Sequence, residues 1–158
     1  MHSDREQRYI SLTHRHRDLI WHVCQDYSLS AAWTAEDAFQ EVLCQLWRCL
    51  DQYQGRSTER TWVYRIATTT LLEIKRKRSN QPTADATTTE PGIAHPQEMY
   101  DLERLIETLG EPDATIVRAS LDGFDYREIA AITGLTRGAV AMRLSRAKDK
   151  LRKILNHE

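Results

Sequence analysis

Residues 124–151 read FDYREIAAITGLTRGAVAMRLSRAKDKL, an order of residue types that predicts two helices joined by a tight turn. Asp125, followed three residues later by Glu128, has the spacing of a capping box that opens a short helix carrying Ile129, Ala130 and Ile132. Gly134 ends that helix, because a residue without Cβ adopts the left-handed conformation at no steric cost. Thr136 is placed to cap a second helix, in which Val140, Leu144, Ala147 and Leu151 recur at spacings of four, three and four along one inward face. The small Ala130 lets the two helices approach closely. This is the pattern of a helix-turn-helix, whose second helix enters the DNA major groove with its N-terminal part. Thr136, Arg137, Ala141, Met142, Arg143 and Arg146 are left as the candidates for base and phosphate contact, arginine being suited to both tasks.

Charge along the rest of the chain agrees with a nucleic-acid partner, although the total does not. The 158 residues carry a net charge of -1, whereas proteins that coat nucleic acid non-specifically carry a large basic excess. The cations are concentrated. Between positions 60 and 78 stand Arg60, Arg65, Lys75, Arg76, Lys77 and Arg78 against only Glu73. Between 137 and 153 stand Arg137, Arg143, Arg146, Lys148, Lys150, Arg152 and Lys153 against only Asp149. One basic stretch closes each half of the chain, which points to two contacts with one polyanion.

Other classes are disfavoured by composition. Hydrophobic residues make up 41% and charged residues 28% of the chain, ordinary for a globular protein, and the apolar runs fall far short of a membrane span. The opening MHSDREQRYI lacks the basic stretch and apolar core of a secretory signal, so a cytoplasmic location is expected. Cys24, Cys44 and Cys49 have no CxxC spacing and are expected to be small buried residues, neither disulfide framework nor thiolate metal site.

The stretch 79–97, SNQPTADATTTEPGIAHPQ, holds three of the four prolines and no apolar periodicity, and is expected to be a flexible linker. Three main helices are expected upstream. The first spans 5–27; the second is capped by Thr34 with Asp37 at the capping-box position; the third spans 59–77. In the third, Val63, Ile66, Ala67, Thr70 and Ile74 can share a buried face, with Arg60, Thr68 and Arg76 pointing elsewhere. Downstream, helices are expected near 99–109 and 113–121, ahead of the helix-turn-helix. With no strand signal, the expectation is an all-α fold of two small helical domains, 1–78 and 98–158, joined by the linker 79–97.

Residues 35–78, AEDAFQEVLCQLWRCLDQYQGRSTERTWVYRIATTTLLEIKRKR, resemble region 2 of sigma-70 family proteins, and residues 105–155 resemble their region 4. Two such domains and a short linker are similar to the extracytoplasmic-function (ECF) sigma factors. The resemblance implies a non-enzymatic protein that binds core RNA polymerase and promoter DNA, needs no cofactor or metal, and is held inactive by an anti-sigma factor. It places Asp37, Gln40 and Glu41 against a coiled coil of the polymerase, and the physical reading agrees, since an exposed acidic stripe beside an exposed Trp47 makes a polar-rimmed, aromatic-anchored protein interface. It assigns -10 recognition and melting to Arg56, Ser57, Arg60, Arg65, Thr68, Thr69 and Arg76, and -35 recognition to the outer face of the last helix. Melting of this kind runs on binding energy, since cationic contacts and a base pocket must offset unstacking.

Three residues depart from the family pattern. Thr69 stands where asparagine is common, and Ala141 and Met142 replace polar or basic residues; either apolar side chain can still meet a thymine methyl. Trp62 is expected in the core rather than stacked on a base. Two competing readings have specific signatures. His14, Asp18 and His22 share one face of the expected first helix, but three ligands on one straight helix cannot surround a zinc ion tetrahedrally. A conventional helix-turn-helix regulator would bind its operator tightly on its own, whereas a sigma factor would bind DNA weakly without core polymerase.

Overall fold

The computed structural model describes residues 2–27, 33–79 and 97–156. They form eight α-helices: α1 (His2–Arg15), α2 (Arg17–Asp26), α3 (Ala35–Cys49), α4 (Glu59–Ser79), α5 (Gln97–Glu107), α6 (Asp113–Leu121), α7 (Tyr126–Thr133) and α8 (Arg137–Asn156), with a 3₁₀ turn at Leu50–Gln52. The fold is all-α among the described residues, as expected. The chain divides into two compact units, Met1–Gly92 and Ile93–Glu158. Of the expected linker 79–97, Ser79 closes α4 and Gln97 opens α5; 80–96 lie outside the described residues.

In the first unit α2, α3 and α4 pack together around Ile20, Val23, Ala38, Val42, Leu46, Val63, Tyr64, Ala67 and Leu71. Burying each larger aliphatic side chain of that set contributes about 1.5–3 kcal/mol. Val63 and Ala67 of α4 are buried as expected, but the rest of its buried face differs. Thr68 is 2% exposed and lies inward with Tyr64 and Leu71, while Ile66, Thr70 and Ile74 are half-buried. The Thr68 hydroxyl donates to the Tyr64 carbonyl at 2.9 Å, which satisfies it without solvent and takes it off the surface. Trp62 is buried, as expected, with its ring centroid 5.1 Å from that of Tyr53.

The expected single helix over 5–27 is two helices. His16 separates them with φ -110 and ψ 15, outside helical geometry. Its ring and the Arg15 guanidinium converge on Glu59 Oε1, at 2.8 Å from His16 Nε2 and 2.7 Å from Arg15 Nη2, which anchors the break to the start of α4. Partial burial opposes ionisation of Glu59, but the hydrogen bonds and charges of Arg15 and His16 outweigh it and hold the carboxyl below its ordinary value. The break puts His14 on a different helix from Asp18 and His22, and His22 faces Asp26 at 3.6 Å, so the zinc-like triplet has no common helix face. Of the cysteines only Cys24 is buried, its thiol pushed up to about 12 by burial; Cys44 is exposed and Cys49 half-buried, contrary to expectation.

The second unit packs α6, α7 and α8 around Ile106, Ile116, Ala119, Phe124, Ile129, Ile132, Val140, Leu144 and Ala147. Within this core stands one buried cation. The side chain of Arg118 is 3% exposed, with Nε 3.5 Å from Glu103 and Nη1 3.7 Å from Glu111. The second oxygen of Glu111 accepts the Thr115 hydroxyl at 2.6 Å and the Thr115 N–H at 3.2 Å. A buried arginine requires such partners, because an unpaired buried charge is far costlier than a paired one.

Candidate protein and nucleic-acid interfaces

The turn between α7 and α8 is built as its residues require. Asp125 accepts the Glu128 N–H at 2.8 Å, and Gly134 stands at φ 78 with its N–H on the Ala130 carbonyl at 2.9 Å. The bond from the Glu128 N–H, more than any other cause, holds the Asp125 carboxyl below its ordinary value. Thr136 accepts the Ala139 N–H at 3.1 Å, which caps α8. Val140, Leu144 and Ala147 are buried and Leu151 is half-buried, so α8 presents Arg137, Met142, Arg143 and Arg146 as exposed residues, with Ala141 half-buried between them. Thr136 thus has its oxygen committed to the cap and only its hydroxyl proton to offer a phosphate. Arg143 is not a loose cation: its Nη1 donates to Asp113 of α6 at 3.0 Å. Arg146 has no ion-pair partner among the described residues.

On α4, Arg65, Thr69 and Arg76 are exposed and fall on one side of the helix, since successive offsets of four and seven residues return to the same face. Arg60 is half-buried at the first turn, and Arg56 is exposed in the loop before it. Ser57, half-buried, accepts the Tyr53 hydroxyl at 2.7 Å on its carbonyl, which ties the loop to the ring packed on Trp62. Thr68 is apart from this surface, for the reason given above. The helix ends in a basic turn, where Arg78 lies 4.9 Å over the Trp33 ring.

On α3, Asp37, Gln40 and Glu41 are all exposed on one face. Their roles in the fold differ. Asp37 completes the expected capping box, accepting the Thr34 N–H at 3.2 Å while the Thr34 hydroxyl accepts its N–H at 3.3 Å. Glu41 has no ion-pair partner among the described residues. Trp47 is half-buried rather than exposed. Arg5 of α1 lies 4.2 Å over its ring and donates to its carbonyl at 2.7 Å, and Tyr9 meets it edge-on at 5.1 Å. Gln40 stands between two shallow hollows, one floored by Trp21 and Phe39, the other by Leu43, Cys44 and Trp47. Arg5 and Tyr9 carry no signal in the sequence, because nothing in the periodicity of α1 says what its outer turns cover.

Two helical units, one ending in a helix-turn-helix and the other carrying an acidic helix face and a basic one, fit a DNA-binding protein of the transcription machinery. The family descriptions "Sigma-70 region 2" and "Sigma-70, region 4" match residues 12–81 and 100–151 respectively. The ECF RNA polymerase sigma-E factor of Escherichia coli is 31% identical over 134 residues, covering 73% of this chain and 70% of that protein. The ECF RNA polymerase sigma factor SigE of Mycolicibacterium smegmatis is 28% identical over 157 residues, covering 91% of this chain, which spans 60% of that relative's length. Among solved structures, CnrH in complex with the cytosolic domain of CnrY superposes with a TM-score of 0.71 at 20% identity, covering 97% of this chain and 90% of the other. The sigma factor RpoE of Bartonella quintana, in complex with the anti-sigma factor NepR, does so at 0.69 and 22%, covering 97% of each. The chain belongs to the sigma-70 family, in its extracytoplasmic-function group.

Proposed function

We propose that this protein binds core RNA polymerase and directs it to specific promoters, acting by binding and not by catalysis. The observation that carries the reading is the presence in one chain of both the region 2 and region 4 matches, the latter on a completely formed helix-turn-helix. Residues 1–78 act as region 2 and 98–158 as region 4, with 79–97 between them. Asp37, Gln40, Glu41 and Trp47 meet the polymerase. Arg56, Ser57, Arg60, Arg65, Thr69 and Arg76 act on the -10 element, and Thr136, Arg137, Ala141, Met142, Arg143 and Arg146 on the -35 element. The exposed thioether of Met142 suits contact with a thymine methyl. The proposed location is the cytoplasm, where RNA polymerase works; separately, among the described residues no helix is long and apolar enough to cross a membrane. Because CnrH and RpoE are seen with CnrY and with an anti-sigma factor, an anti-sigma partner is proposed here as well.

Run-off transcription with core polymerase and a genomic promoter library tests the reading. New start sites that depend on the added protein are expected; tight operator binding by the protein alone, with no new start site, would favour a conventional repressor or activator and overturn it. A second test concerns phosphate contact. Arg146→Ala is expected to weaken promoter binding by the holoenzyme to a similar degree across sequences and to reduce the slope of log affinity against log salt by about one. An unchanged slope in a salt titration would remove Arg146 from the phosphate contacts.

A further inference from the structure

Arg143 sits among the exposed cations of α8 yet, among the described residues, is the one whose guanidinium is joined to another helix, through Nη1 donating to Asp113 Oδ1 at 3.0 Å. Asp113 is the first residue of α6, outside the helix-turn-helix pair, and its side chain is the more buried of the two, 22% exposed against 43% for Arg143. We infer that Asp113 is a positioning residue for DNA readout, which orients Arg143 toward a base edge and leaves phosphate contact to its neighbours. The inference rests on the proposal that α8 reads the -35 element.

The argument is one of charge and geometry. A guanidinium attracts phosphate through its net charge, with release of counterions, and a carboxylate at hydrogen-bond distance cancels most of that charge. The remaining N–H donors of the fork are not consumed by one bond from Nη1, and they keep their directional capacity for acceptors on a base. An arginine held this way is a weak phosphate ligand and a well-aimed base reader. Arg146, one turn further along and without an ion-pair partner among the described residues, is the opposite case. A half-exposed pair of this kind contributes little to folding.

The experiment uses the full chain with core polymerase and a pool of promoter duplexes randomised across the -35 segment, sequenced after capture at several salt concentrations. Arg143→Ala is expected to erase a preference at one base position. Asp113→Ala is expected to reduce that same preference by about fivefold or more, in line with the worth of an aligned arginine–guanine contact, and to steepen the salt dependence as Arg143 turns to phosphate. Asp113→Asn keeps an oxygen that can accept from Nη1 but not the charge; it is expected to retain the preference while steepening the salt dependence. In the Arg143→Ala background, Asp113→Ala is expected to add nothing. Equal weakening at every position, or additive effects in the double variant, would overturn the inference and mark Asp113 as structural. If Arg143→Ala alters a preference and Asp113→Ala does not, the inference falls and the DNA role of α8 stands. If Arg143→Ala alters none, both the inference and the assignment of Arg143 to DNA fall.

Discussion

Arg118→Ala is expected to destabilise the second unit by about 3 kcal/mol or more, because removing one partner of a buried ion pair leaves the others uncompensated. Glu103 and Glu111 would both lose their cation, and the space vacated by the long side chain would add a cavity cost. The two carboxylates are each about one-third exposed, which lets water relieve part of the charge and sets the estimate toward the lower end of the range for broken buried pairs. The measurement has a built-in control. Trp21, Trp33, Trp47 and Trp62 all lie in the first unit. Tryptophan fluorescence in a urea titration therefore reports the first unit, while the loss of helical circular dichroism belonging to the second unit is expected to move to lower urea. A variant whose dichroism transition matches the parent would show that Arg118 is replaceable, and would contradict the role given to its ion pairs. Arg118→Met, which fills the space, should recover only the packing part of the loss.

Glu41→Lys is expected to weaken binding to core polymerase by about 2 kcal/mol or more, since it places a like charge where the proposed interface needs an acid. The choice of residue follows from the geometry of α3. Asp37 is the start of the helix as well as part of its acidic face, so Asp37→Lys would remove the capping box with Thr34 along with the charge. Glu41 stands one turn later, exposed and without an ion-pair partner among the described residues, so its reversal changes the surface alone. Affinity for core polymerase, measured by competition with a labelled sigma factor, should fall steeply with an unchanged thermal midpoint. Equal affinities for parent and Glu41→Lys would remove this face from the proposed contact. Asp37→Asn is the useful companion, since the amide oxygen can keep the cap while the charge is lost.

The helix-turn-helix was legible because each of its parts is local. A cap, a glycine with positive φ and a four-three-four apolar repeat each act within a few residues, and each was found where the pattern put it. The capping box of α3 was legible for the same reason. What escaped was set by contacts distant in sequence. The break at His16 is tied to Glu59, which lies 43 residues away. Trp47 reads as an exposed anchor until Arg5 and Tyr9 of α1 are seen against it. Thr68 is polar and reads as outward-facing, but a threonine that donates to the carbonyl four residues back needs no water and can face the core. Arg118 and the tie between Asp113 and Arg143 follow the same rule: the sequence around a buried arginine, ATIVRASL, looks like any helix with one charged side.

The covering of Trp47 by α1 has a consequence for grafting one sigma factor onto another. Arg5 and Tyr9 lie upstream of residue 12, where the sigma-70 region 2 match begins. A chimaera joined at that boundary would carry over the whole acidic face, yet hand the indole to a foreign leading helix with other side chains at those two positions. The surface presented by α3 is a joint product of two segments, and only one of them lies inside the conventional module.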